Sequence, residues 1–448
     1  MFETVLVANR GEIAVRVIRT CQRLGIKAVA VHSQADAGAL HVRQADESVL
    51  LGGTSPTQSY LDVEAIIEAA RVTGAQAVHP GYGFLSESAR FARQVGEAGL
   101  VWIGPDPDTI EAMGDKIAAR NLMAAAGVPV APGTTEPVLD LAAAVDHAAR
   151  IGYPLMVKAS AGGGGIGMAA VRDEAELRAA FDTARSRAER FFGSPAILLE
   201  RYLPGARHVE VQVLGLSDGP VLALGERDCS VQRRHQKVVE ESPSPAVSAA
   251  LRAQLCEAAV RAAEAIGYRN AGTVEFLLDP ATDEFVFLEM NTRLQVEHPV
   301  TELVLGLDLV EEQLRLAAGD GPTFDPQHPP TPHGHAIEAR VYAEDPVRFL
   351  PGPGRIGRWV QPAGEGVRVD AGYAEGDVVT PHFDPLLAKL CVWGADRPAA
   401  LDRLATAVTA FQIEGPRCNL PFFTELLGRE EFTSGRYDTG LVSRMRAG

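Results

Sequence analysis

The stretch Thr273-Val-Glu-Phe-Leu-Leu-Asp-Pro-Ala-Thr-Asp-Glu-Phe-Val-Phe-Leu-Glu-Met-Asn-Thr-Arg-Leu-Gln-Val-Glu297 carries more of the fold and the chemistry than any other. Aromatic and β-branched residues fill Thr273–Asp279 and Glu284–Met290, with turn formers at Pro280-Ala-Thr-Asp283, so the spacing predicts a β-hairpin. Pairing Asp279 with Phe285 sets Glu275 directly opposite Glu289. Opposed residues of an antiparallel pair share a face, their Cβ atoms roughly 5 Å apart. Two carboxylates that close repel unless a cation lies between them. Asn291, two residues on, adds a third oxygen to that face. Oxygen-only ligation suits Mg²⁺ or Mn²⁺, which take one or two carboxylates together with nucleotide phosphates. An edge hairpin with acids facing water would explain one Glu, but not the cluster.

The chain then alternates, and an extended Arg293-Leu-Gln-Val-Glu297 puts Arg293, Gln295 and Glu297 on one side. Arg293 offers a planar fork for a carboxylate or bicarbonate, and Glu297 is a candidate general base. A surface ion pair is the plainer alternative. Arg340, within Ala336–Ala343, reads either as a buried salt-bridge partner or as an anion-stabilising group. Spacing alone does not choose.

Further out, Thr4–Ala8 and Lys27–His32 flank Gly11–Leu24, whose apolar residues recur at helical spacing before Gly25. This β-α-β opening predicts a parallel sheet, to which Ala75–His79 and Leu100–Ile103 add strands. Pro80-Gly-Tyr-Gly83 would then lie at the carboxyl edge, where such sheets bind ligands. After a breaker-rich Gly127–Gly133, a strand ending at Lys158 leads into Ala159-Ser-Ala-Gly-Gly-Gly-Gly-Ile-Gly-Met168. Consecutive glycines let backbone N–H groups converge on phosphate, and Lys158 can place a point charge there. The spacing is not the Walker pattern, and a flexible hairpin remains the alternative. Glu200-Arg-Tyr-Leu203 could read an adenine edge, or simply end a strand. Arg227–Lys237 concentrates Arg233, Arg234 and Lys237 in a chain of net charge −16. Such a run is commonly a solvated face, but an anionic substrate here requires a local positive pocket.

At 448 residues and 46% hydrophobic content the chain is expected to form several α/β domains. Its acidity argues against nucleic acid or an anionic membrane as partner. Five cysteines without a C-x-x-C pair point to free thiols in a reducing compartment, and no targeting or membrane-spanning stretch is evident, so a cytoplasmic location is expected.

Nearly the whole chain resembles the biotin carboxylase component of biotin-dependent acyl-CoA (acetyl- or propionyl-CoA) carboxylases, of the ATP-grasp superfamily. The carrying motifs are Val7–Ala14, His79–Glu87, Gly114-Asp-Lys116, the glycine loop, Arg227–Lys237 and Glu289–Pro299. The resemblance implies a doubly wound N-terminal domain (1–114), an ATP-grasp region with lid (115–203, lid about 131–203), a catalytic half (204–333) and a C-terminal α+β domain (334–448). It implies ATP-dependent carboxylation of biotin N1′ by bicarbonate through carboxyphosphate. Lys116, Lys158, Gly164 and Gly165 would hold the ATP phosphates. Glu200, Arg201, Tyr202 and Leu203 would hold adenine, helped by His208, Gln232, His235 and Leu277. Glu275, Glu289 and Asn291 would bind two Mg²⁺ or Mn²⁺ ions. Lys237, Arg293, Gln295 and Val296 would hold bicarbonate, with Glu297 as base. Arg340 would stabilise the biotin enolate, and Tyr82 and Gly83 would border the biotin pocket.

Two positions depart from the family pattern: Ile166 stands where the glycine loop usually carries Arg or Lys, and Arg201 replaces a Lys. The implied partners are a biotin carrier protein in trans (or a longer parent chain), a second copy in a homodimer, and a carboxyltransferase. The alternatives are a catalytically weak homologue kept for assembly or regulation, and another carboxyphosphate-forming ligase such as a urea carboxylase component.

Overall fold

The computed structural model describes residues 1–160, 168–217 and 219–447. Gly164, Gly165 and Ile166 of the glycine loop lie outside the described residues. At the N-terminus a five-stranded, all-parallel sheet runs in the order Glu47–Gly52, Lys27–Ser33, Thr4–Val7, Ala77–His79, Val101–Trp102. Its strands are apolar on both faces because both are covered. Val5, Val7, Ala28 and Ala30 pack on Ile13, Val17 and Ile18 of the helix Gly11–Arg23. Leu6, Val29, Val31 and Val78 pack on Ile66 and Phe91 of the helices on the other side.

The strand order reverses direction between Thr4–Val7 and Ala77–His79, so their carboxyl ends open a crevice of the kind that binds ligands in such sheets. Asn9 spans it, its Nδ2 donating to Pro80 O (2.7 Å) and Tyr82 O (2.8 Å). Gly81 has φ +63°, and a Cβ there would stand 3.0 Å from Asn9 Nδ2. That close approach, with the left-handed backbone, explains the glycine.

A smaller three-stranded antiparallel sheet orders Ala169–Val171, Leu155–Ala159 and Ile197–Arg201, backed by the helices Leu141–Ile151 and Glu174–Phe192. The first of these helices went unread in the sequence, although Asp140 caps it by accepting from Ala143 N at 2.9 Å. The centre of the molecule is an eight-stranded sheet. Its order is Phe285–Asn291, Asn270–Leu278, Arg207–Gly215, Val221–Arg233, Gln236–Ser242, His335–Tyr342, Leu386–Gly394, Val367–Ala371. Gln236–Ser242 pairs with His335–Tyr342, so one sheet continues across the 333/334 division. Among the described residues, no helix is long and apolar enough to cross a membrane.

Candidate active site

The hairpin forms with strands Asn270–Leu278 and Phe285–Asn291, and Glu275 stands opposite Glu289 as the sequence predicts. The route to that register differs. The turn end pairs Leu278, not Asp279, with Phe285. A shift between Phe276↔Phe287 and Glu275↔Glu289 leaves Leu288 as an extra residue, a β-bulge that restores the expected pairing. Glu275 is in turn paired with Glu210, and Glu210 with Arg227, on the next strands. Beyond them, Glu240 pairs with Glu338, and Arg340 with Lys389. One face of the central sheet therefore carries a row of ionisable side chains, each needing a partner once removed from water.

Two lysines meet the hairpin acids. Lys116 opens the helix Lys116–Ala125, capped by Asp115, and its Nζ donates to Glu289 Oε2 at 2.5 Å. Lys237 Nζ donates to Glu275 Oε1 (2.7 Å), Glu297 Oε1 (2.7 Å) and Glu210 Oε2 (2.6 Å). Burial would lower the pKa of Lys237, but these three carboxylates outweigh it and hold the ammonium well above its usual value. The Lys116 charge draws Glu289 below the ordinary carboxylate range against the opposing effect of burial. Asn291 Nδ2 donates to Glu275 Oε1 at 2.8 Å, and His208 Nε2 stands 2.9 Å from Glu275 Oε2. The donor set suits a divalent cation: two opposed carboxylates kept ionised, an amide oxygen, and lysine ammonium groups that now supply the positive charge the acids require.

Arg293-Leu-Gln-Val-Glu297 corrects the expectation of an extended run. The strand ends at Asn291, and Glu297 caps the helix His298–Leu305. Arg293 donates through Nε to Glu87 Oε2 (3.0 Å) and through Nη2 to Asn291 Oδ1 (3.0 Å). Glu297 is wholly buried. Its Oε2 takes a hydrogen bond from Arg340 Nη2 at 3.0 Å, and Arg340 Nη2 also lies 2.6 Å from Glu240 Oε1. Burial favours a protonated Glu297, but Lys237, Arg340 and Arg227 reverse that and hold its pKa well below normal. Arg340 is thus a buried ion-pair partner, and it also borders the cavity.

These groups surround a cavity of about 1060 Å³ between the smaller sheet, the central sheet and the C-terminal region. Lys116, Lys158, Glu200 to Leu203, His208, Gln232, His235, Lys237, Glu275, Leu277, Glu289, Asn291, Arg293, Gln295, Val296 and Arg340 all line it. Glu297 is absent from the lining, screened behind Lys237 and Arg340. Tyr82 and Gly83 are absent as well. Tyr82 turns its hydroxyl onto Glu12 instead.

Lys158 Nζ holds Glu200 Oε2 at 2.5 Å. In the segment Glu200–Leu203, Arg201 N donates to Pro132 O and Tyr202 N to Pro154 O, while no internal acceptor takes the Leu203 N–H among the described residues. Arg201 points its guanidinium away to Tyr153 O at 3.1 Å. The basic run Arg227–Lys237 is a hairpin whose turn residues Arg234 and His235 take positive φ. It folds Lys237 into the site, while Arg233 is spent on Glu344 at 2.8 Å.

Sequence reasoning missed Glu210 and Glu87. Glu210 had a signal: His208, Glu210 and Gln212 alternate along a strand buried throughout, so three polar side chains share one interior face. Glu87 closes the motif His79–Glu87, but nothing in the sequence links it to Arg293, its partner far away in the chain.

Comparison with known proteins agrees with this architecture. Residues 1–110 match the biotin carboxylase N-terminal domain, 115–321 the carbamoyl-phosphate synthase L chain ATP-binding domain, and 338–444 the biotin carboxylase C-terminal domain. The chain is 52% identical to biotin carboxylase of Halalkalibacterium halodurans, covering 99% of this chain and 98% of that one. It is 51% identical to biotin carboxylase 2 of Bacillus subtilis, covering 99% and 100%. Among solved structures it superposes, with a TM-score of 0.96 at 43% identity and 99% and 98% coverage, on a dimeric biotin carboxylase domain. That domain belongs to Hydrogenobacter thermophilus 2-oxoglutarate carboxylase and was solved with MgADP, ADP and bicarbonate. With three domain matches in order and relatives aligned from end to end, this chain belongs to the biotin carboxylase family of ATP-dependent ligases.

Proposed function

We propose that this chain carboxylates biotin N1′ on a carrier protein at the expense of ATP and bicarbonate, with the residues of the cavity in the following roles. Lys116 and Lys158 bind ATP phosphates, leaving Glu289 and Glu200 as they do so. The hinge Glu200–Leu203 holds adenine through backbone groups, with His208, Gln232, His235 and Leu277 beside it. Glu275, Glu289 and Asn291 hold Mg²⁺, which when bound neutralises phosphate charge and orients the nucleotide. Arg293, Lys237, Gln295 and Val296 hold bicarbonate.

The observation that carries this reading is the single ammonium of Lys237, shared between Glu275 on the metal side and Glu297 on the base side. An anion entering beside Lys237 and Arg293 competes with Glu297 for positive charge. Glu297 then rises from its depressed pKa and becomes a better proton acceptor. It takes the bicarbonate proton, the bicarbonate oxygen bonds to the γ-phosphorus as the bond to ADP breaks, and carboxyphosphate results. That intermediate gives CO₂ and phosphate, phosphate removes the N1′ proton while Arg340 offsets the enolate charge, and N1′ then bonds to the CO₂ carbon. A homodimer, a biotin carrier and a carboxyltransferase complete the assembly.

The test is bicarbonate-dependent ADP release with Mg²⁺, with and without free biotin, for this chain and for Ile166→Arg. Stimulation by biotin in the unchanged chain is expected. Replacing the loop's usual cation costs roughly 1.5–3 kcal/mol of a charge-assisted contact, so Ile166→Arg raises the rate. Silence from both proteins while ADP still binds would refute a self-sufficient enzyme. Activity in Ile166→Arg alone would mark this chain as the weak homologue.

A further inference from the structure

Lys389 lies on the strand Leu386–Gly394, directly across from Arg340, and has no solvent exposure. A buried ammonium needs strong partners. Its Nζ donates to the main-chain oxygen of Val296 at 2.8 Å and stands 3.2 Å from Glu12 Oε2. Glu12, itself buried at the start of the helix Gly11–Arg23, accepts the Tyr82 hydroxyl on its other oxygen, Oε1. The Tyr82 ring centroid is 5.9 Å from the same ammonium. A continuous chain of contacts therefore runs from Val296, at the edge of the cavity, through Lys389 and Glu12 to the Pro80–Gly83 loop at the crevice of the N-terminal sheet. Apart from Val296, none of these residues has a role in the proposed mechanism.

The arrangement has a clear electrostatic sense. A carbonyl oxygen facing an incoming anion repels it. With its oxygen committed to Lys389, Val296 offers no free acceptor to the anion beside Lys237 and Arg293. Lys389 has no solvent exposure, and the negative charges of Glu12, Glu338 and Asp370 keep its ammonium protonated against the cost of burial. Burial pushes the Glu12 carboxyl up to about 7 even with Lys389 opposing it, so removing this lysine leaves an acid that can become neutral instead of an obligatory bare charge.

Resting on the functional reading above, we propose that Lys389 is a positioning residue for the carboxylation site, which with Glu12 fixes the Gln295–Glu297 segment against the Pro80–Gly83 loop and sets affinity for bicarbonate.

The test compares wild type, Lys389→Met, and Lys389→Met combined with Glu12→Gln, which removes both charges and protects folding. Bicarbonate KM, ATP KM and ADP affinity by calorimetry are measured for each. Loss of one charge-assisted hydrogen bond corresponds to a rise in bicarbonate KM of roughly ten- to a hundred-fold. ATP KM and ADP affinity stay unchanged. An unchanged bicarbonate KM in a variant that still binds ADP overturns the proposal. So does a parallel loss of ADP affinity, since that is what a merely structural lysine would give. If neither Lys389 variant folds, Tyr82→Phe, which deletes only the hydroxyl on Glu12, carries the test, with a smaller rise supporting the proposal and none overturning it. Absence of bicarbonate-dependent ADP release in wild type removes the functional reading itself, and this proposal with it.

Discussion

In the proposed mechanism Glu297 is the base, and its surroundings make two demands that conflict. It must be ionised to accept a proton, and Lys237 and Arg340 ensure that. It must also become basic enough to hold the proton, which the same cations oppose. In that mechanism an entering anion resolves the conflict by drawing on the charge of Lys237. Glu297→Gln keeps the side-chain shape, leaves an acceptor oxygen for only one of Lys237 and Arg340, and has no basic site. Bicarbonate-dependent ADP release is therefore expected to fall by about 10²- to 10⁴-fold while calorimetry finds ADP affinity kept; retention of the rate would remove Glu297 from its role. Glu289 tests the metal side. With Glu289→Gln, Lys116 loses its partner carboxylate and Mg²⁺ loses a charged ligand. The Mg²⁺ concentration for half-maximal ADP release should rise roughly ten-fold or more, and an unaltered Mg²⁺ titration would exclude this carboxylate from the metal site.

At the scale of elements, the sequence disclosed the hairpin because strand alternation and turn residues are local, and local signals survive without tertiary knowledge. It could not disclose the bulge at Leu288, an insertion visible only in the pairing of the two strands. The two effects, a turn end shifted by one residue and one residue inserted, cancel at Glu275 and Glu289. Arg293–Glu297 shows the limit from the other side, because alternation there marked a loop held by Glu87, Lys237 and Lys389, not a strand. Close approach between elements was equally hidden. Gly372 follows the strand Val367–Ala371, and a Cβ on it would lie 2.5 Å from Glu12 N and 2.9 Å from Gly11 C. Both are backbone atoms and cannot rotate aside. Gly372→Ala is therefore expected to cost about 1–3 kcal/mol by forcing the strand off the helix Gly11–Arg23. Thermal melting checks this, and an unchanged Tm would mean that the contact yields more easily than backbone packing should.

Over the whole molecule, the regions on either side of residue 333 are joined by shared sheet and by buried charge, neither of which has a signature in a linear sequence. Glu241 is the clearest joint. It lies on the strand Gln236–Ser242 and gathers His335 Nε2 (2.6 Å), Arg397 Nε (2.7 Å) and the Tyr437 hydroxyl from three later segments. In the sequence it is only the second of two adjacent acids. Burial pushes its pKa up, but the hydrogen bonds from His335 and Arg397 reverse that and hold it at about 2. An unfolded Glu titrates near 4.3, so the folded protein binds this proton more weakly. The stabilisation it contributes is complete above about pH 5 and is lost as pH falls toward 2, amounting to about 3 kcal/mol for this fully buried group. Glu297, Glu275, Asp308 and Asp370 are also held low and weaken the fold in the same direction, so acid sensitivity alone does not isolate Glu241. The difference between wild type and Glu241→Gln does. Urea denaturation at pH 6 should find the variant less stable, because Arg397 loses a buried counter-charge. At pH 3 the gap should narrow by most of that amount, since wild type has by then begun to surrender the interaction. Parallel stability curves from pH 6 to pH 3 would show that Glu241 titrates as an ordinary carboxylate and that packing, not charge, fastens the two halves together.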